Sequence, residues 1–171
     1  MLKSVSLKKI ASPTFTGTVD NQGGQIKFPA TQSASADANT LDDYEEGTWT
    51  PVFRFGGAAV GMTFSAQTGL YTKIGNVVHL AGRVALSAKG TSTGSATIGG
   101  LPFTIQNSLA QPSVCVRWNL LAYTGAPQAY GSGNSTSINI EQIVEAGTVT
   151  LLTDTAFSAT TSAIFSMTYF V

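Results

Sequence analysis

Apolar and polar residues alternate with a period of two along most of the chain after residue 48. This is the spacing of β-strands that bury one face. The pattern is clearest in residues 77–86, and residues 113–122 repeat it. The residues that the alternation predicts on the buried faces of these two segments are Val78, Leu80, Val84, Leu86, Val114, Val116, Trp118 and Leu120. Shorter segments at 136–144, 147–152 and 162–171 predict further strands, although residues 137–144 also fit a helical stripe.

Glycine-rich segments separate these predicted strands. Gly75 and Asn76 form a two-residue hairpin dipeptide between two apolar segments. About eight to ten short strands follow one another with such turns between them, which predicts an all-β fold. We expect an antiparallel β-sandwich, with a jelly roll as the favoured form and a barrel as the alternative. The chain shows no internal repeat, which argues against a β-helix or a propeller.

The composition and the outward faces of the strands predict association between chains. Charged residues make up 11% of the sequence, whereas an average soluble domain has roughly 25%. The outward faces of residues 77–86 and 113–122 hold His79, Ala81, Arg83, Ala85, Cys115, Arg117, Asn119 and Leu121. A face that combines small or apolar residues with isolated arginines is more typical of a protein interface than of a free surface.

Several partners and compartments are disfavoured by the sequence. The net charge is zero and no basic stripe is present, so we expect no binding to nucleic acid. No apolar run approaches the roughly 20 residues of a membrane span, so we expect no membrane insertion. Residues 1–10 lack the apolar core of a signal peptide, which predicts synthesis and folding in a reducing cytoplasm. The single cysteine, Cys115, is expected to be a buried small hydrophobe.

An acidic segment marks a change in composition at residues 41–51. Polar, low-complexity chain precedes it, and the strand pattern follows it. We interpret the segment as the joint between an extended attachment arm with its acidic joint (residues 1–47) and a β-sandwich head (residues 48–171). The residues assigned to the joint are Asp42, Asp43, Tyr44, Glu45, Glu46 and Trp49. We expect the rings of Trp49 and Tyr44 to anchor the joint. The carboxylates should lie in water or against a basic partner.

The arm offers few anchors of its own. It carries an excess of lysine over acidic residues in its first 30 positions, suited to an acidic partner surface, although a solvated tail would carry such lysines equally well. The candidate attachment residues are Lys8, Lys9, Phe15 and Phe28.

The sequence lacks the constellations that most enzymes need. The four carboxylates of the joint are adjacent in sequence, whereas glycoside hydrolysis needs two carboxyl groups that face each other across a groove. They also lack the glycine and the spacing of a calcium loop. His79 is the only histidine, which disfavours a zinc site or a catalytic triad. We therefore predict a protein that is not an enzyme and that holds no cofactor or metal.

Three segments resemble phage tail-fibre and tailspike proteins. Residues 11–19 (ASPTFTGTV) resemble a short motif of fibre shafts and attachment regions. Residues 41–51 (LDDYEEGTWTP), followed by residues 68–78 (TGLYTKIGNVV), resemble the start of a distal fibre domain. The resemblance is best over residues 11–104 and fades from Ile105 onward. It implies a homotrimeric virion appendage whose head binds carbohydrate or protein on the host surface.

These observations predict a phage virion structural protein. The favoured function is a short tail-fibre or fibre-tip protein that mediates host attachment and docks on other virion proteins through its arm. The alternative is a capsid decoration or head-fibre protein docked by the same arm, and a carbohydrate-cleaving tailspike module is less favoured. Receptor contact is assigned to Tyr123 and Tyr130 as aromatic residues of surface loops, whereas Trp118 is assigned to the core.

Overall fold

The computed structural model describes residues 23–31, 35–37, 39–108 and 111–171, apart from the side chain of Ala146. Strands dominate this part of the chain. In order they are β1 (Tyr44–Trp49), β2 (Val52–Phe55), β3 (Thr63–Ile74), β4 (Val77–Ala88), β5 (Ala96–Gly99), β6 (Val114–Leu121), β7 (Ala126–Gly131), β8 (Ser137–Ile143), β9 (Val149–Leu151) and β10 (Phe157–Phe170). The helices among these residues are two single 3-10 turns, Glu145–Gly147 and Asp154–Ala156. Both turns are too short to cross a membrane, so the described ranges contain no helix that could do so.

The strands form two antiparallel sheets that enclose one core. Sheet A has the order β1-β3-β4-β10-β6, and sheet B has the order β2-β5-β8-β7 with β9 paired to β8. The prediction of an all-β antiparallel sandwich is confirmed, and the ambiguous segment forms the strand Ser137–Ile143 rather than a helix. The strand order combines crossovers between the sheets with in-sheet hairpins at β3–β4 and β7–β8–β9.

Aromatic rings hold the two sheets together at the centre of the core. Phe53 and Phe55 of sheet B contact Phe157 at the start of β10, with ring centroids 5.2 and 4.9 Å apart in edge-to-face geometry. Such pairs add to the free energy of burying the rings. Ile98 and Ile138 complete this part of the core from neighbouring strands of sheet B, and neither is exposed. The alternation in these short strands therefore reports burial against the opposite sheet.

The inward side chains predicted for β4 are buried, but Ala85, predicted to face outward, is buried as well. In β6 the prediction fails at the end of the strand. Leu120 has a positive φ of 56° and is 59% exposed, while Leu121 packs against the core. The register between β10 and β6 shifts between Phe157 and Ser162, and this irregularity inverts the alternation. Cys115 is exposed on the outward face, so its predicted burial was wrong.

Two glycines create the space for the largest ring of the core. In the register of sheet A, Trp49 lies opposite Gly69, Gly69 opposite Gly82, and Gly82 opposite Phe165. A Cβ atom on Gly69 would lie 2.3 Å from Trp49 Nε1, and one on Gly82 would lie 2.7 Å from Phe165 Cζ. The two rings therefore meet above the glycines, with centroids 5.9 Å apart. This row fixes β1 to the rest of the sheet.

Candidate functional site

The acidic joint is part of the head rather than a free linker. β1 begins at Tyr44 and pairs with β3 along its whole length, so the boundary proposed between residues 47 and 48 falls inside a strand. Alternation along β1 separates the side chains. Glu45 and Trp49 lie on the inner face of sheet A, whereas Tyr44 and Glu46 lie on the outer face. The joint thus contributes to two different surfaces.

Of the candidate arm residues, only Phe28 lies within the described ranges. Its ring is half-buried and lies 6.4 Å from the ring of Tyr44, which brings the arm against the outer face of sheet A. A second contact comes from Ser35, whose backbone N–H donates to Asp42 Oδ2 at 2.8 Å. Lys8, Lys9 and Phe15 lie outside the described residues.

Asp43 lies against a basic side chain, one of the two placements expected for the carboxylates of the joint, and the resulting ion pair is buried. Its carboxylate contacts Lys73 Nζ, and the two side chains are 8% and 5% exposed. The Phe103 ring covers the amine, with its centroid 5.7 Å from Nζ. The backbone fixes the position of Asp43, because Gly75 N–H donates to the Asp43 carbonyl at 3.0 Å. Burial of a charge is tolerated only with such a partner.

The two glutamates of the joint each accept a hydrogen bond from a tyrosine. Tyr71 donates to Glu45, and this bond raises the pKa of Tyr71 to about 12. Tyr44 donates to Glu46, which also raises the pKa of the tyrosine. In both cases the neighbouring carboxylate opposes the formation of a phenolate. Both tyrosines therefore remain hydrogen-bond donors across the physiological pH range.

The outer face of sheet A exposes apolar side chains on adjacent strands. Leu70 of β3 and Ile164 of β10 are 59% and 48% exposed, and they flank Ala81 and Arg83 of β4. Together these residues line a shallow groove of about 330 Å³ with a mainly apolar surface. Arg117, on the edge strand β6, lies beside Ile164 in the register. The predicted combination of small, apolar and isolated arginine residues is therefore present on one flat face.

A second groove opens at the end of the head, where Tyr123 lies in the connection from β6 to β7. It has a volume of about 330 Å³. Its lining residues are Ala122, Tyr123, Thr124, Gln142, Leu151, Leu152, Thr153, Thr155 and Ala156. The Tyr123 side chain is 53% exposed. The groove combines an exposed aromatic ring with hydroxyl and amide groups, a set that suits polar ligands with one apolar face.

Hydrogen bonds order the polar wall of this end groove. Gln142 Oε1 accepts from the backbone N–H of Thr124 at 3.0 Å and of Gly125 at 3.3 Å, which orients the amide. Thr153 and Thr155 share a hydrogen bond of 2.8 Å between their hydroxyls. These residues come from strands and turns that are distant in sequence. Sequence reasoning identified Tyr123 but found no signal for the rest of the wall.

The other candidate aromatic residues lie elsewhere. Tyr130 is half-buried in β7 rather than in a loop, and it does not line the end groove. Trp118 packs partly buried against the core, 6.5 Å from the ring of Phe157, as the alternation predicted. Within the part of the chain that the structure describes, no three His, Cys, Asp or Glu side chains come together as a set of metal ligands.

Asp154 supports the turn that carries two residues of the groove, and this gives an expected pH dependence. Its carboxylate accepts from Gly94 N–H at 2.9 Å and lies 3.4 Å from Lys89 Nζ, and these contacts lower its pKa below the ordinary 3.8. A lowered pKa stabilises the fold above 3.8, and this stabilisation is lost as the pH falls through the folded value. As the pH is lowered through this range, we expect the melting temperature of Asp154→Asn to fall less than that of the wild type. An equal acid loss in both proteins would contradict the assignment.

The comparisons with known proteins agree with the fold. The chain is similar to the Dettilon tailspike protein (gp208), known from a crystal structure, with a TM-score of 0.61 and 23% sequence identity. The similarity covers 74% of this chain and 23% of that protein, so the match concerns a fraction of the tailspike's length. No protein-family model matches the sequence. No curated protein matches it either. The similarity establishes that a fold of this kind forms one part of that protein.

Proposed function

We propose that this chain is a phage virion structural protein, a short tail-fibre or fibre-tip protein that attaches the particle to the host surface and is not an enzyme. The observation that carries the proposal is the similarity of the fold to part of a tailspike. It is supported by the segments at residues 41–51 and 68–78, which form the paired strands β1 and β3 of this fold. The protein acts in the virion after synthesis in the host cytoplasm.

The proposed assembly is a homotrimer in which the outer face of sheet A packs against sister chains. Support comes from the exposed Leu70 and Ile164 on a flat, charge-poor face, where Arg83 and Arg117 are spaced singly. Burial of apolar area stabilises an assembly by about 25 cal/mol per Å² before the costs of association. Tyr44 on the same face contacts Phe28 of the arm, which supports a position of the arm beside the proposed interface.

Ile164→Lys should convert the trimer to a monomer, because an ammonium at the centre of the interface would be buried between Arg83 and Arg117, two charges of the same sign. Light scattering of the purified chain measures the mass. Val149→Lys is the matched control, since Val149 is 52% exposed but lies on β9 of sheet B. A wild-type protein that is monomeric at micromolar concentration would contradict the proposed assembly, and an Ile164→Lys trimer would place the interface on another face.

We assign host recognition to the end groove, with carbohydrate or protein on the cell surface as the ligand. Tyr123→Ala should reduce binding of the purified chain to host cells at least about tenfold, because an exposed aromatic anchor typically dominates such a contact. Val149→Ala removes a comparably exposed apolar side chain outside the groove and should bind normally. Equal binding by the two variants would remove the groove from the proposal. Absence of binding by the folded wild type would remove host attachment itself.

The contacts of the arm distinguish a location on the tail from the alternative location on the capsid. Lysine-directed cross-linking of intact virions should connect Lys8 and Lys9 to a tail or baseplate protein. Cross-links to the major capsid protein would instead identify a decoration or head-fibre protein. Degradation of host polysaccharide by the purified chain would show the carbohydrate-cleaving activity that we propose to be absent.

A further inference from the structure

A lysine and an aspartate meet on the inner face of sheet A at the start of β1, and a glutamate lies opposite the lysine on the paired strand. Asp43 directly precedes the strand and contacts Lys73 Nζ through its carboxylate. Glu45 is the cross-strand partner of Lys73 in the register of β1 and β3, and both face inward. Side chains that are directly opposite on one face have Cβ atoms about 4.5–5.5 Å apart. Lys73, Asp43 and Glu45 thus lie in one small region of the sheet.

The lysine and the aspartate of this region are buried. The side chains of Lys73 and Asp43 are 5% and 8% exposed. Phe103 covers the lysine amine, and the Tyr71 ring packs edge-on against Phe103 with centroids 5.3 Å apart. Tyr169 donates to the Phe103 carbonyl at 3.2 Å and holds this cover in place. An ion pair in such a site carries the desolvation cost of both charges, which can exceed their mutual attraction.

We propose that Lys73 and Asp43 condense into an intramolecular isopeptide bond. A proton first passes from the ammonium to the carboxylate across their contact, which leaves a neutral amine and a carboxylic acid. The Nζ lone pair then attacks Asp43 Cγ. The Nζ–Cγ bond forms, the bond from Cγ to the hydroxyl breaks, and the hydroxyl leaves with a proton from nitrogen as one water molecule. The step needs no oxidant and no co-reactant.

The buried site favours the amide over the ion pair. Condensation replaces two buried charges by one neutral group, which removes the desolvation cost of an ion pair in this position. Two features hold the reacting groups together before the bond forms. The β1–β3 pairing fixes Lys73, and the bond from Gly75 N–H to the Asp43 carbonyl fixes the aspartate backbone. Held reactants of this kind gain a large effective concentration.

Glu45 assists the proton transfers of this condensation. Its carboxylate lies on the same face as Lys73 and accepts the Tyr71 hydroxyl bond, which fixes the side chain. A carboxylate there relays a proton between the amine and the departing hydroxyl, the usual task of a general acid–base group. The bond closes a covalent loop from the joint to β3. It makes the attachment of β1 to sheet A resistant to unfolding, whichever function the head performs.

Mass spectrometry of the intact, folded full chain tests the proposal. The wild type should be lighter than its sequence by one water molecule, and digestion should give a branched peptide that joins Asp43 to Lys73. Lys73→Arg keeps a positive charge beside Asp43 but supplies no condensing amine, so it should show the full sequence mass. Asp43→Asn should condense with loss of ammonia and reach the same product mass as the wild type.

The variants of Glu45 separate a chemical role from a structural one. Glu45→Gln should be purified with a large unmodified fraction that condenses about a hundredfold more slowly or not at all. Glu45→Asp should restore part of the rate. A folded wild type with the full sequence mass and no branched peptide would overturn the proposal. Loss of water that persists in Lys73→Arg would also overturn it, because a succinimide at an aspartate has the same mass change.

Discussion

Replacing Trp49 by alanine should lower the free energy of unfolding by about 3–5 kcal/mol, the usual cost of emptying a buried aromatic site. Trp49 is 7% exposed, and its ring lies over the two glycines of the Trp49–Gly69–Gly82–Phe165 row. Because glycines have no side chain, nothing beneath the ring can move into its place. Removal of the indole therefore leaves a cavity that the neighbouring strands cannot fill. Denaturant unfolding of the purified chain measures the loss.

Trp49→Phe provides the matched control for this result. The indole Nε1 is buried without a hydrogen-bond partner among the described residues, so its removal breaks no such bond. Phenylalanine would keep the edge-to-face contact with Phe165, which now has centroids 5.9 Å apart. We therefore expect a much smaller loss for Trp49→Phe than for Trp49→Ala. Equal stability of the alanine variant and the wild type would show that β1 is not anchored by this ring.

Asp43→Ala should lower the free energy of unfolding by about 3–5 kcal/mol, because it leaves Lys73 buried without its carboxylate partner. Asp42→Ala should cost under about 1 kcal/mol, since Asp42 is half-buried at the surface and its hydrogen bond from the Ser35 backbone is exposed. The two adjacent aspartates are thus a matched pair with opposite expected results. Thermal and denaturant unfolding of both variants decides between them.

The double variant Asp43→Ala with Lys73→Met tests the cause of that loss. It removes both polar groups together, so it should be less destabilised than Asp43→Ala alone. This holds for an ion pair and for an amide, because in either state the single variant removes the contact with Asp43 and leaves the lysine amine buried. Strictly additive losses would show that the two residues do not interact. A greater loss for Asp42→Ala than for Asp43→Ala would place the polar anchor of the joint at Asp42.

The fold class followed from local patterns, because alternation in a strand reflects which face is buried. Val78 and Leu80 are buried as predicted, since β4 is a central strand with partners on both sides. The pattern failed where pairing is irregular. Leu120 and Leu121 exchange places at the end of the edge strand β6, and the register shift in β10 that causes this has no local sequence signal.

The sequence by itself determined an all-β antiparallel sandwich with a charge-poor surface and an acidic segment at its entrance, because period and composition are properties of the chain. Only the tertiary structure decided what the acidic segment does. Asp42 and Asp43 are neighbours of the same charge, yet the first stays near the surface and the second is buried against Lys73. That partner is 30 positions away in sequence, and the antiparallel register of β1 with β3 brings it into contact.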